Sequence, residues 1–295
     1  MSDVRVLGVV TLPGPHEARW RSALLKAAKA RKWAATKDGG DRDDAAAGEV
    51  VFMRDVDDAA LDGIDALLVI TASPDEVFGM ALQRHADDPR QALRRAASQF
   101  GAACRLIERG AFMLDGSAVE AEIPGLGHVS VDVGDDDAPL DAHGVANPLA
   151  FYESLPPATG AKAAWSPDLF SYTHGADHEG GTPDIDISGR ARILVHGPYF
   201  QLPAGLWRVT ARFSVEPDDD AFLMFQWGVA ADVATCYGAF DRSGLYEVVI
   251  DHRWEKAGAA EVRVWAERGH LFGKMTWLGC HVERLADVEP LSSTT

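Results

Sequence analysis

His196-Gly-Pro-Tyr-Phe-Gln-Leu-Pro-Ala-Gly-Leu-Trp-Arg-Val-Thr-Ala-Arg-Phe-Ser-Val215 changes its chemistry at every second residue. Trp207, Val209, Ala211, Phe213 and Val215 fall on one side, with Arg208, Thr210 and Arg212 on the other. Successive side chains of a strand point to opposite faces, so this is a half-buried antiparallel strand. Glu216-Pro-Asp-Asp-Asp220 follows as a turn. Strand-length runs continue at Phe222–Val229, Leu245–Asp251, Glu261–Glu267 and Lys274–Arg284, and precede it at Ile185–Ile187 and Ala191–His196. In the last run Leu278, Cys280 and Val282 are the expected inner face. Many short strands punctuated by Gly and Pro predict an all-β, jelly-roll-like sandwich over 158–286.

Ahead of Pro156–Pro157 the rhythm is different. Val4–Val10, Glu49–Met53 and Ala66–Thr71 are short, largely apolar runs, as in strands of a parallel sheet. Between them a helix is expected over His16–Trp33, with Trp20, Leu24, Ala27 and Ala28 on one side. Ser73, Pro74 and the acids after them form a helix start, and Pro89 opens another helix. Short strands are expected at 111–114, 118–123 and 128–133. Residues 1–150 therefore predict an α/β layered domain with a mainly parallel sheet. A linker is expected at 151–157 and a disordered tail at 287–295. In such sheets ligands sit beyond the carboxyl ends of the strands, here the loops Thr11–Pro15 and Thr71–Asp75. Nucleotide fingerprints are missing: Gly8-Val-Val-Thr-Leu-Pro-Gly14 stands where a Gly-x-Gly-x-x-Gly would be. There is also no P-loop and no Gly-x-Ser-x-Gly elbow.

The 295 residues carry a formal net charge of −17, which repels phosphate and argues against nucleic acid and anionic membrane as partners. No apolar run reaches membrane-spanning length. Cys104, Cys236 and Cys280 are odd in number and widely spaced, so free thiols are expected rather than a disulfide framework or a thiolate zinc site. The expected address is cytoplasmic. The acidic stretch Gly134–Gly144 lacks the alternating spacing of a calcium loop. His174, Asp177, His178 and Glu179 are the densest set of metal-type ligands, although Gly175, Gly180 and Gly181 point to a loop. No cofactor is expected.

Gly197-Pro-Tyr-Phe-Gln-Leu-Pro-Ala-Gly-Leu-Trp-Arg-Val-Thr-Ala-Arg-Phe213 resembles the strand pair that opens jelly-roll carbohydrate-binding modules. An aromatic-x-Leu-Pro-Ala-Gly-x-aromatic-x-Val phrase is common in that family. Met275-Thr-Trp-Leu-Gly-Cys-His-Val-Glu-Arg284 is similar to their last strand. The resemblance covers the second domain only. It implies a sandwich in which loop or concave-face aromatics serve as sugar platforms.

The residues themselves carry a parallel argument. Sugars present apolar C–H faces on which Trp or Tyr stacks, while acids and amides take the hydroxyls. Trp265 and Trp277 are expected to face away from the core and Trp254 to lie in a turn. Tyr199, Tyr237, Asp241 and Arg263 are the expected companions. Three functions compete. The first is a glycan-related binding or assembly protein, whose sandwich recognises a saccharide or partner while the α/β domain docks or regulates. The second is a carbohydrate-active, sugar-transferase-like enzyme with a catalytic α/β domain. The third is a protein–protein module forming homo-oligomers. Fold alone does not choose among them.

Overall fold

The computed structural model describes residues 4–37, 47–53, 56, 61–84, 88–132, 146–173, 183–217 and 220–286. The acidic 134–144 stretch, the His174, Asp177, His178 and Glu179 cluster and the 287–295 tail lie outside the described residues. The chain divides into two compact units, Met1–Gly144 and Val145–Thr295.

In the first unit, β1 (Val6–Thr11), β2 (Ala34–Lys37), β3 (Glu49–Phe52), β4 (Ala66–Thr71) and β5 (Phe112–Asp115) form one sheet of order β2-β3-β1-β4-β5. Every pairing in it is parallel. Helix α1 (Glu17–Ala30) buries Trp20, Leu24 and Ala28, one residue per turn of the same stripe. Helix α2 (Pro74–Arg84) begins with a reciprocal cap: Glu76 N–H donates to Ser73 Oγ at 3.2 Å and Ser73 N–H to the Glu76 carboxylate at 2.8 Å. Helix α3 (Pro89–Glu108) is capped by Asp88, which accepts from the Gln91 N–H at 3.0 Å. Strands β6 (Glu120–Ile123) and β7 (Gly127–Ser130) form a separate antiparallel hairpin.

The second unit is a sandwich of two antiparallel sheets. One has the order β10-β17-β12-β15, from β10 (Asp184–Asp186), β17 (Gly273–Ala286), β12 (Gly205–Pro217) and β15 (Gly244–Trp254), with β8 (Lys162–Trp165) also on β17. The other has the order β14-β13-β16-β11-β9, from β14 (Asp232–Phe240), β13 (Ala221–Val229), β16 (Gly258–Ala266), β11 (Arg192–Leu202) and β9 (Ser171–Tyr172). Their inner faces meet through large aromatics. Phe213 lies 4.9 Å from Phe225, and Trp165, Trp207, Trp227, Trp254 and Trp277 are all fully buried.

The 151–157 connector is anchored through its aromatic pair, and one expectation about β17 changes. Phe151 packs edge-on against Trp207 at 5.7 Å, and the Tyr152 hydroxyl donates to the Gln201 carbonyl at 2.5 Å. Those contacts tie the segment to the sandwich. In β17 the inner residues are Met275 and Trp277, then Cys280 and Val282, while Leu278 is exposed. The cause is a bulge: Ala211 pairs with Cys280 but Phe213 pairs with Trp277, so one extra residue sits on β17. Gly279 occupies the bulge at φ 86°, a left-handed conformation that glycine adopts without strain. One inserted residue reverses the parity, and Trp277 turns inward.

Candidate functional site

The outer face of the β14-β13-β16-β11-β9 sheet brings together four members of the expected set, Tyr199, Tyr237, Arg263 and Trp265. Cross-strand register places Tyr237, Met224, Trp265 and Ile193 in one row. The next row is Thr235, Gln226, Arg263 and His196. Neighbouring strands lie about 4.8 Å apart, so Tyr237 and Trp265, separated by β13, stand about 10 Å apart. Tyr237 is 67% exposed and Trp265 is half-buried. The first row is therefore apolar and aromatic, and the second is lined with hydrogen-bonding groups.

Each polar group is held in place. The Arg263 guanidinium pairs with Glu261 and donates to the Ala230 carbonyl at 3.3 Å. The Glu261 hydrogen bond holds the guanidinium above its ordinary pKa, against the opposing effect of burial. Gln226 Nε2 lies 3.5 Å from the Thr235 hydroxyl. Tyr199 sits in a register shift of β11 at φ 68°, a costly conformation for a bulky residue. There its hydroxyl meets His196 Nδ1 at 2.6 Å. At the far end of the face the Arg268 guanidinium covers the Phe222 ring at 3.3 Å from its centroid.

Three of the expected site residues do not join this face. Trp254 is 1% exposed and Trp277 is 0% exposed. Trp254 closes the inward side of β15, and its indole N–H donates to the Pro203 carbonyl at 3.0 Å. Trp277 is turned inward by the Gly279 bulge and packs on Phe170 at 5.2 Å. Neither can stack on a sugar. Asp241 lies in the turn between β14 and β15 beside Arg242, at 4.0 Å. Tyr199, Tyr237, Arg263 and Trp265 remain. Met224, Gln226, Thr235, His196 and Glu261 are members that sequence reading missed. The alternation of β16 was the available signal, because any strand paired with it must place alternate residues beside Arg263 and Trp265.

The carboxyl end of the parallel sheet holds a different group. His16 Nε2 lies 3.9 Å from Glu76 Oε1, and Asp115 accepts from the Ser117 N–H and hydroxyl at 2.8 Å each. Those bonds hold the Asp115 carboxyl below its ordinary range. The cavity nearby is only about 170 Å³, lined by Pro13, Glu17, Val77, Arg95 and Gln99 among others. A larger recess of about 940 Å³ lies elsewhere in this unit, between Arg31, Trp33, Phe112 and the β6–β7 turn.

No protein-family model matches the chain, and no curated protein matches it. Solved carbohydrate-binding modules are similar to part of it. The xylanase 10B module pair of Clostridium thermocellum, a family 22 binding module with its family 10 module in complex with xylohexaose, aligns at 6% identity and TM-score 0.30. That match covers 44% of this chain and 28% of the other. A family 4 module aligns at 8% identity and TM-score 0.30, over 40% of this chain and 96% of the other. A family 61 module in complex with β-1,4-galactotriose aligns at 10% identity and TM-score 0.28, over 40% of this chain and 83% of the other. At such scores no residue role is carried over, and the face stands on its own geometry.

Proposed function

We propose that this protein binds a saccharide on the outer face of the β14-β13-β16-β11-β9 sheet. The observation that carries the reading is the pair of adjacent rows. Exposed Tyr237 and half-buried Trp265 share one, and Thr235, Gln226, Arg263 and His196 share the next. A pyranose has an apolar C–H face and an equatorial rim of hydroxyls. Laid along the aromatic row, it stacks on the rings while its rim meets the polar row. Buried Glu261 fixes the partly exposed Arg263 guanidinium, whose donor fork suits vicinal hydroxyls.

The alternative of a catalytic first unit has weaker support. A general acid acting near neutral pH needs a carboxyl held above its ordinary range. Asp115, at the strand ends where such chemistry would sit, is held below it, which suits a base or a ligand and not an acid.

The test is a glycan array followed by calorimetry on the whole chain, with Tyr237→Ala and Trp265→Ala alongside. Binding that falls at least tenfold in Tyr237→Ala, with its melting temperature unchanged, supports the face. Binding that survives both substitutions moves the site elsewhere and sinks this assignment. Failure of the native chain to bind any glycan tested rejects the reading for those glycans.

A further inference from the structure

Strand β14 is the edge of its sheet, and among the described residues it pairs with β13 alone. Natural edges are protected by charges, prolines, bulges or brevity. The other edge of this sheet, β9, is two residues long. The edge β15 of the opposite sheet carries Glu247, Asp251 and Arg253. β14 is less protected: its one charge, Asp232, stands at the turn end and faces His252 at 2.8 Å. Val233–Phe240 contains neither a charge nor a proline, and all nine residues of the strand pair with β13 in unbroken register.

The hairpin geometry shows which backbone groups are open. Val229 and Asp232 flank a two-residue turn, so they exchange hydrogen bonds with each other, and every second pair after them does the same. Phe222 confirms the phase. Its carbonyl accepts from the Glu267 N–H at 3.2 Å on the β16 side, so its partner Ala239 is turned away from β13. Val233, Thr235, Tyr237 and Ala239 therefore direct N–H and C=O to the open edge. Thr235, Tyr237 and Ala239 are exposed on the outer face, while β15 runs beside the strand, with His252 2.8 Å from Asp232 at one end and the Tyr246 ring 4.7 Å from that of Phe240 at the other.

We infer that β14 pairs with β14 of a second copy of this chain, antiparallel about a two-fold axis through Cys236. This register uses all four open residues. Val233 pairs with Ala239 of the second copy, and Thr235 with Tyr237, each pair exchanging two N–H···O=C bonds. The sequence itself is compatible with its own reverse here, since no like charges are brought opposite one another between Val233 and Ala239. Closed two-fold pairing also uses up the edge, which explains how an unprotected strand avoids open-ended association. The two outer faces become continuous across the axis. The pairing does not depend on what that face binds.

The axis supplies its own reporter. Cys236 opposes Cys236 of the second copy in a non-hydrogen-bonded pair, where Cα atoms stand about 4.5 Å apart, within disulfide range. Cys236 is partly exposed, whereas Cys104 and Cys280 are buried. The experiment is sedimentation of the native chain, Thr235→Lys and Thr235→Pro, with diamide oxidation and mass spectrometry of the native chain. Lysine adds like charges across the axis. Proline removes the outward Thr235 N–H while leaving the bonds to β13. A native dimer, a dissociation constant raised at least tenfold in Thr235→Lys, and a Cys236–Cys236 cross-linked peptide lost in Cys236→Ser support the inference. A native chain that stays monomeric at its highest soluble concentration overturns it. So does a dimer that persists in Thr235→Lys without the cross-link. Far-ultraviolet circular dichroism of each variant separates lost pairing from lost folding.

Discussion

Trp207 and Trp254 stack with their ring planes 1° from parallel and their centroids 6.3 Å apart, and both indole N–H groups donate to one acceptor, the Pro203 carbonyl. Register explains the geometry: Trp207 lies on β12 two residues from the Gly205–Trp254 pair, on the same inward face. Trp254 also meets Trp227 edge-on at 5.5 Å, across the two sheets. Truncating such a side chain leaves a cavity that packed aromatics cannot refill. Trp254→Ala is expected to cost about 3–5 kcal/mol. Trp254→Phe keeps most of the volume but leaves the hydrogen bond unmade, at about 1 kcal/mol. Urea unfolding followed by circular dichroism checks both. The fraction that stays folded should bind saccharide as the native chain does, since Trp254 is inside.

Gly279 gives a second expectation. Its φ of 86° and its bulge position leave no room for a side chain, because an added Cβ would lie 2.4 Å from the Trp165 carbonyl oxygen. Gly279→Ala must either shift β17 away from β8 or abandon the bulge. The left-handed conformation alone costs about 1–3 kcal/mol for a non-glycine residue. The lowered melting temperature should come with a change in near-ultraviolet circular dichroism, since Trp277 is oriented by this bulge. A variant that melts like the native chain would show that the bulge does not set the parity.

The same glycine marks where sequence reading stopped. Alternation located β12, β15, β16 and β17, because each places apolar residues on one side of a pleated strand, and β13 was located as a strand-length run apolar on both faces. Alternation counts residues, however, and a bulge adds one without announcing it; Trp277 was therefore assigned to the wrong face. β14 was missed because Val233-Ala-Thr-Cys-Tyr-Gly-Ala239 is mostly small and uncharged on both faces, so no apolar–polar alternation marks it. β2 was missed for a related reason. It is four residues at the margin of the parallel sheet, and Gly48 makes room beside it for Trp33, whose ring an added Cβ would meet at 2.4 Å. Tyr237 and Trp265 were both named from sequence, but only pairing through β13 puts them in one row.

Glu261 is buried while its partner Arg263 keeps a side-chain exposure of 27%. Removing the acid's charge leaves the guanidinium partly desolvated and its orientation unfixed. Glu261→Gln is expected to cost about 1–2 kcal/mol, less than the loss of a partner in a fully buried pair, because water reaches Arg263. Saccharide affinity should fall as well, since Arg263 then points less consistently at the polar row. Arg263→Lys keeps the charge but not the planar fork, and should lower affinity more than stability. Calorimetric titration beside thermal unfolding separates the two effects. Unchanged affinity in both variants would remove the ion pair from the site.

Asp65 ties down the start of the parallel sheet. Its Oδ2 accepts from the N–H groups of Arg5 and Val6 at 2.8 Å each, at the entry to β1. Those two hydrogen bonds, led by that from Arg5, hold the carboxyl below its ordinary value of 3.8. The sign follows from linkage: a group whose folded pKa is depressed stabilises the fold above its unfolded pKa. That stability is fully present above pH 3.8 by a clear margin and is lost as pH falls through the lower folded value. Asp65→Asn should therefore lower the melting temperature of the first unit at pH 7. As the native carboxyl becomes protonated below pH 3.8, the gap between native and variant should narrow. Because Asp65 is largely solvated, the gap should be modest and should persist in high salt, since hydrogen bonds rather than long-range charge produce it. Thermal unfolding from pH 7 to the acid limit checks this. A gap that stays constant across that range would mean that Asp65 acts through packing and not through its charge.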